Sequence, residues 1–285
     1  MESSNPEHGN LAAAARALPR VILARNSMMR IREAIDLFLS LRRRLESEIA
    51  RLIPWTDTLT FSLSEERLLR LMSRETTLED ILYTSYAYSG YWIYRSIRPE
   101  QIPSEIKELL KEVKENGSSI VLEIGTAAGG TLYLFSRFLE SQKIITIDLD
   151  ARAHAEQSQK AKLFKLFGPG KRIYPLRGDS HDPETIEEVT RILGTDEVDF
   201  LFIDGDHSYE GVRKDLEVYG DFVRRGGIIA FHDIANPNLG VKKFWNEIKH
   251  RYVSKEIIAP TCEMSLYARS SVEKRGWGGI GILRL

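Results

Sequence analysis

Cysteine is all but missing from this 285-residue chain, in which Cys262 stands alone. A single thiol closes no internal disulfide, and no Cys/His cluster surrounds it to bind a metal. Its expected place is a buried position in a protein of the reducing cytoplasm. Long hydrophobic runs are missing too. No stretch reaches the roughly 18 apolar residues of a membrane-spanning helix, and the opening Met1-Glu-Ser-Ser-Asn-Pro-Glu lacks the basic start of a secretory signal. Residues 11–32 are rich in Ala and Arg, faintly like a transit peptide, but Glu2 and Glu7 argue against one. A soluble protein with no membrane span is the expectation. Neither sign of charge is in excess, with 40 basic against 41 acidic residues, so composition gives no reason to expect a nucleic-acid partner. No internal repeat or low-complexity tract occurs. A Gly-x-Gly-x-x-Gly dinucleotide fingerprint is also absent.

What is present centres on Ser118 to Thr131. Ile120, Val121, Leu122 and Ile124 form an apolar, partly β-branched run of the kind found in a strand buried on both faces. Gly125 ends it. Gly129 and Gly130 then lead into Thr131-Leu-Tyr-Leu-Phe, apolar at helical spacing, so the element reads as strand, glycine loop, helix. Such a loop admits a ligand to bare backbone at a helix N-terminus. Glu123, two residues before Gly125, would repel a diphosphate and favours a cationic ligand. About twenty residues on, Lys143-Ile-Ile-Thr-Ile-Asp148 reads as a second buried strand, its acid placed to accept hydrogen bonds from a ribose diol. Together these residues resemble motif I and its acidic partner in class I S-adenosylmethionine-dependent methyltransferases. The resemblance implies cofactor contacts by Glu123, Gly125, Thr126, Gly129, Gly130 and Asp148.

Ahead of that stretch the chain reads as helical. Ile31, Ile35, Phe38, Leu41, Leu45, Ile49 and Leu52 recur every three or four positions, which predicts one long amphipathic helix over 27–53, stopped by Pro54. Two fates are open to its stripe: a seam joining two copies of the chain, or packing on the parent domain. Ser62-x-x-Glu65 and Thr76-x-x-Glu79 read as capping boxes for helices over 63–72 and 78–88. The aromatic stretch Tyr83, Tyr86, Tyr88, Tyr91, Trp92 and Tyr94 suits packing of this appendage, or a pocket wall. Arg98 to Pro103 is a stiff linker, and Ser104 caps a helix to about Glu115. A helical N-terminal region, expected to close over an acceptor, thus gives way near residue 100 to a domain over 101–285.

Beyond Asp148 strand and helix alternate. A helix over 151–167 is followed by a strand at 172–176, a helix from Asp182-Pro183 to Gly194 and a strand at 198–203. A helix over 209–223 precedes Gly226-Gly227 and a strand at 228–231, and segments 255–259 and 280–285 read as closing strands. Such alternation means an α/β, doubly wound, mostly parallel sheet with helices on both faces, in which ligands gather at strand C-terminal ends. In the class named above, the sheet has seven strands and the last is inserted antiparallel.

Asp179-Ser180, after the third strand, resembles the position that hydrogen-bonds the adenine amine in those methyltransferases. More informative is Asp204-Gly-Asp206-His207-Ser-Tyr209-Glu-Gly-Val-Arg213-Lys-Asp215, followed by His232-Asp233. Several ionisable groups at the mouths of two adjacent strands are hard to explain as core, because unpaired buried charge is costly. Two arrangements are open. Asp204, Asp233 and His232 could hold a divalent cation, or His207 could take a proton from a substrate hydroxyl without metal. A third reading has these groups cap helices and brace loops.

With the upstream Gln101-x-Pro103, these stretches resemble a narrower group over residues 100–240, the cephalosporin hydroxylase-like and macrocin O-methyltransferase-like proteins. That resemblance implies methyl transfer from S-adenosyl-L-methionine to a hydroxyl of a small molecule such as a sugar, natural product or phenolic. It further implies His207 as base, Asp204 as a catalytic and cofactor-binding residue, and Mg2+ on Asp204 and the 232/233 pair. His232 departs from the oxygen ligand expected there, and magnesium prefers hard oxygen donors. A nicotinamide-dependent oxidoreductase on a similar sheet and a non-catalytic S-adenosylmethionine-binding module are the competing readings.

Overall fold

The computed structural model describes residues 55–149, 156–260 and 278–285. The chain divides into two units, residues 1–59 and 60–285. The helix expected over 27–53, the residues 151–155 of the expected 151–167 helix, and Cys262 lie outside the described residues.

The first helices are α1, Trp55–Met72, and α2, Leu78–Ala87. Because α1 runs straight through Ser62, the expected capping box there has no helix to open. The second box forms one residue later than expected. The Thr77 hydroxyl accepts from the Asp80 amide, and the Asp80 carboxylate accepts from the Thr77 amide. A short 3-10 turn, Trp92–Tyr94, precedes α3, Pro103–Asn116, whose N-cap is Ile102 rather than Ser104. Proline suits that first helical position, since its missing N–H would have had no partner.

The sheet and its helices then alternate: β1, Ile120–Ile124; α4, Gly130–Phe138; β2, Lys143–Asp148; α5, Glu156–Phe164; β3, Arg172–Arg177; α6, Pro183–Leu193; β4, Val198–Ile203; α7, Tyr209–Tyr219; β5, Val223–His232; α8, Gly240–Ile248; β6, Val253–Ile257; β7, Ile280–Arg284. The seven strands lie in the order β3-β2-β1-β4-β5-β7-β6, parallel except for β7, which is antiparallel to both neighbours. This is the doubly wound α/β architecture expected. Several boundaries differ from expectation: α7 ends at Tyr219 rather than 223, β5 begins at Val223 and so contains Gly226 and Gly227, and β6 sits two residues earlier than 255–259.

Successive residues of a strand face opposite sides, which divides the apolar runs between two cores. Val121, Ile144, Phe200 and Ile228 pack with Leu68, Leu82, Ile106, Leu109, Phe135 and Phe164, so α1 to α5 cover one face. Leu122, Ile145, Leu201 and Ile229 pack with Val189, Val212, Tyr219, Phe244 and Trp245, so α6 to α8 cover the other. Truncating a leucine such as Leu109, which has no exposed surface, to alanine costs about 2–5 kcal/mol in cores of this kind. Covering both faces leaves the strand ends as the place for chemistry.

Candidate active site

The C-terminal ends of β1, β4 and β5 are neighbours, and the backbone ladder continues past them. The Gly125 amide donates to the Ile147 carbonyl and the Asp204 amide to the Ile124 carbonyl, each at 2.8 Å. This pins the glycine loop between β2 and β4. Gly125 has φ +98°, and a Cβ there would lie 2.1 Å from the Asp204 carbonyl oxygen. No other residue fits that approach. The loop then turns through Ala127, whose φ of 45° is uncommon for a residue with a side chain, and the Ala127 amide donates to Asp148 Oδ2 at 2.6 Å. Asp148, half-buried at the end of β2, thus shapes the loop.

Glu123 stands opposite Thr146 in the β1/β2 register, and Thr146 Oγ1 donates to Glu123 Oε2 at 2.5 Å. The hydroxyls of Thr146 and Thr126 touch in turn. Glu123 is wholly buried, and its Oε1 has no hydrogen-bond partner. Burial pushes its carboxyl up to about 7, against the pull of hydrogen bonds from Thr131 and Thr146. The carboxylate therefore braces the loop from inside, unlike the ligand-facing anion that its position beside the glycines suggested.

Asp204 is the hub of the second group. Its Oδ1 lies 2.9 Å from His232 Nδ1 and 3.2 Å from His207 Nε2, and its Oδ2 accepts from Gln101 Nε2 at 2.6 Å. Burial opposes its charge, but the two imidazoles hold its carboxyl down at about 2. His232, itself buried, would lose its proton to burial were it alone. Asp204 and Asp233 instead push it up to about 9. His207 is raised chiefly by its hydrogen bond to Asp204. Its Nδ1 is 3.5 Å from Asp233 Oδ2, and 37% of its side chain remains exposed. Asp233 adopts φ 64°, and its Oδ1 accepts the Gly278 amide at 3.0 Å.

The other members of the constellation go elsewhere. Asp206 accepts the Ser208 amide and hydroxyl, and Ser208 caps α7 through the Gly211 amide. Arg213 pairs with Glu210 and Glu217 on the surface. Asp179 accepts the His181 amide, while the Ser180 hydroxyl is turned to Asp215 at 2.7 Å. Thr146 and Thr131 were missed as partners of Glu123, although a threonine inside an otherwise apolar strand run was a visible signal. Gln101 stood out only as part of a motif, and its contact 103 residues away has no local signature.

The expected magnesium site was Asp204, His232 and Asp233. Magnesium demands near-octahedral oxygen ligands. Here both Asp204 oxygens and Asp233 Oδ1 already accept N–H donors, and the third member offers nitrogen. Among the described residues no group of three or more His, Cys, Asp or Glu is arranged to hold a metal. The set as folded does not fit magnesium.

A cofactor fits better. One buried acceptor beside Asp204, Gln101 Oε1, lacks a hydrogen-bond partner, and Asp148, Asp179 and Asp204 all sit at strand ends. An acceptor-rich mouth suits a ligand that brings N–H donors and positive charge, and is unfavourable to a diphosphate.

The strand order, with β7 antiparallel, is that of the Rossmann-like methyltransferase fold. Residues 122–234 match the family model described as a methyltransferase domain. An uncharacterized protein of Acanthamoeba polyphaga mimivirus is 34% identical over 130 residues, which is 45% of this chain and 57% of that protein. An O-methyltransferase from Bacillus cereus, solved in complex with SAH, superposes with a TM-score of 0.50 at 19% identity, over 74% of this chain and 92% of its own. The O-methyltransferase TomG from Streptomyces achromogenes, involved in tomaymycin synthesis and solved with SAM, has a TM-score of 0.47 at 14% identity, over 79% of this chain and 99% of its own. Among the described residues no helix is long and apolar enough to cross a membrane.

Proposed function

We propose that this chain transfers a methyl group from S-adenosyl-L-methionine to a hydroxyl of a small molecule, with His207 as the base and no metal in the step. The observation that carries this reading is a partly exposed His207 held by Asp204 at one nitrogen, 3.2 Å away, with its other nitrogen 3.5 Å from Asp233 Oδ2.

When bound, the cofactor supplies a methyl already activated by a sulfonium, so the protein's tasks are positioning and deprotonation. Asp148 is suited to a ribose diol, and Asp179 to the adenine amine. Asp204 keeps a proton on His207 Nε2, which leaves Nδ1 as the lone-pair nitrogen that accepts the hydroxyl proton. The imidazolium so formed lies between Asp204 and Asp233, which stabilise it. As the acceptor oxygen bonds to the methyl carbon, the carbon–sulfur bond breaks, and the products are a methyl ether and the thioether form of the cofactor.

The test is transfer of label from methyl-labelled S-adenosylmethionine to a panel of sugars, phenols and polyketide alcohols. At least one hydroxylated compound should be methylated by the full chain, and His207→Ala should cut turnover by roughly 100-fold, within the range of general-base catalysis. Transfer confined to amines, or a His207→Ala variant as fast as the parent, would contradict the proposal.

A further inference from the structure

Helix α7 carries a second buried acid that the methyl-transfer step leaves unused. Asp215 has no exposed surface. Its Oδ1 accepts the Ser180 hydroxyl at 2.7 Å and lies 3.0 Å from His181 Nε2, whose ring is turned off the hydrogen-bond line. Four residues on, Tyr219 donates its hydroxyl to the Ser180 carbonyl at 2.7 Å. Positions 215 and 219 are about one helical turn apart, so both side chains leave the same face of α7. Both grip the loop after β3. That loop also carries Asp179, whose Oδ1 takes the His181 amide at 2.8 Å.

The second oxygen of Asp215 is bare. Oδ2 is buried without a hydrogen-bond partner, and Gly205, next to Asp204, packs beside it: a Cβ on Gly205 would lie 3.8 Å from that atom. Burying a carboxylate with one oxygen unsatisfied is costly, and burial indeed raises the Asp215 carboxyl above its ordinary range. Such a cost is tolerated where a rigid arrangement is gained. The arrangement fixed here is the β3 loop relative to the Asp204 turn.

We propose that Asp215 and Tyr219 latch the Asp179–His181 loop into the shape that receives the adenosine half of the cofactor. Helix α7, which begins two residues after His207, then sets both the base and the cofactor loop. This inference rests on the methyl-transfer reading. Asp215 is a positioning residue, acting through Ser180 and His181.

The experiment is calorimetric titration of the full chain with S-adenosylhomocysteine and, separately, with adenosine. Asp215→Asn keeps an acceptor for Ser180 but removes the charge facing His181, and Tyr219→Phe removes one donor from the loop. Asp215→Asn is expected to weaken both ligands by the same factor, roughly tenfold, and Tyr219→Phe to weaken both by a smaller common factor. Arg213→Ala, which alters only the surface pairs with Glu210 and Glu217 on α7, is the control and should change neither. Where Asp215→Asn folds poorly, Tyr219→Phe decides. Loss of S-adenosylhomocysteine affinity without equal loss for adenosine, or unchanged affinity in both variants, would overturn the latch while leaving the methyl-transfer reading intact. No heat from the unaltered chain with either ligand would overturn both.

Discussion

Gln101 Nε2 donates to Asp204 Oδ2 at 2.6 Å, joining the segment ahead of β1 to the end of β4. The hydroxyl of Tyr86 holds the Gln101 carbonyl at 2.8 Å, so α2 reaches the strand ends through one residue. Asp204 depends on this donor because its other oxygen is shared by two imidazoles. Gln101→Leu should therefore lower turnover by roughly tenfold, the worth of one hydrogen bond to a charged group, with a melting temperature near that of the parent. Gln101→Glu should do more damage, since it sets a carboxylate against Asp204. Steady-state methyl transfer checks both, and a Gln101→Leu variant at full rate would remove the role.

The proton economy of His207 gives a pH profile with a defined sign. A base works in its neutral form, and the hydrogen bond to Asp204 raises His207 above its ordinary value of 6.5. The rate should climb with pH through a midpoint above 6.5. In Asp204→Asn the carboxylate is gone, so the midpoint should fall and the plateau drop with it. A kcat/KM profile whose midpoint is the same in both proteins would show that Asp204 does not tune the base.

Glu123 makes stability fall as pH rises. Its ordinary value is 4.5 and burial carries it to about 7, so between those limits the folded chain holds a proton that the unfolded chain has released. Stability is then lost progressively as pH rises through that window. Glu123→Gln removes the titrating group and keeps the shape. Melting temperatures at about pH 5 and about pH 8 should differ less in Glu123→Gln than in the parent, by roughly 2 °C or more. An equal difference in the two proteins would show that Glu123 does not titrate in this range.

Gly125→Ala should be among the most damaging single substitutions in the domain. The added methyl would meet the Asp204 carbonyl oxygen at 2.1 Å, and the backbone at φ +98° is strained for any residue with a Cβ. A backbone neighbour cannot swing aside as the end of a side chain does, so a loss above about 3 kcal/mol is expected. Chemical denaturation measures it directly. A loss below about 1 kcal/mol would mean that the loop relaxes away from β4.

The central strands and the acids at their ends were legible because apolar runs of four to six residues, each followed by a turn, alternate with helical periodicity. The run from Ile120 to Ile124 is the strand itself, and Asp148, Asp204 and Asp233 mark strand ends as read. Helix starts were less legible. A Ser-x-x-Glu pattern caps only where the backbone before it is extended, and at Ser62 it is already helical. At Thr76-Thr77 two registers of the same motif compete, and Asp80 decides by accepting from both threonines. The direction of Glu123 was not legible, because a strand covered on both faces offers no polar side to point toward. Gln101–Asp204 and Ser180–Asp215 are tertiary pairs, invisible to any local pattern.

The most direct measurement of the central claim is calorimetric titration of the folded full chain with S-adenosyl-L-methionine, alongside the reduced nicotinamide dinucleotide. Saturable binding of the sulfonium compound, weakened by roughly tenfold or more in Asp148→Ala and little changed in His207→Ala, is the expected result. No binding of S-adenosyl-L-methionine by a folded sample, or binding of the dinucleotide in its place, would contradict the account.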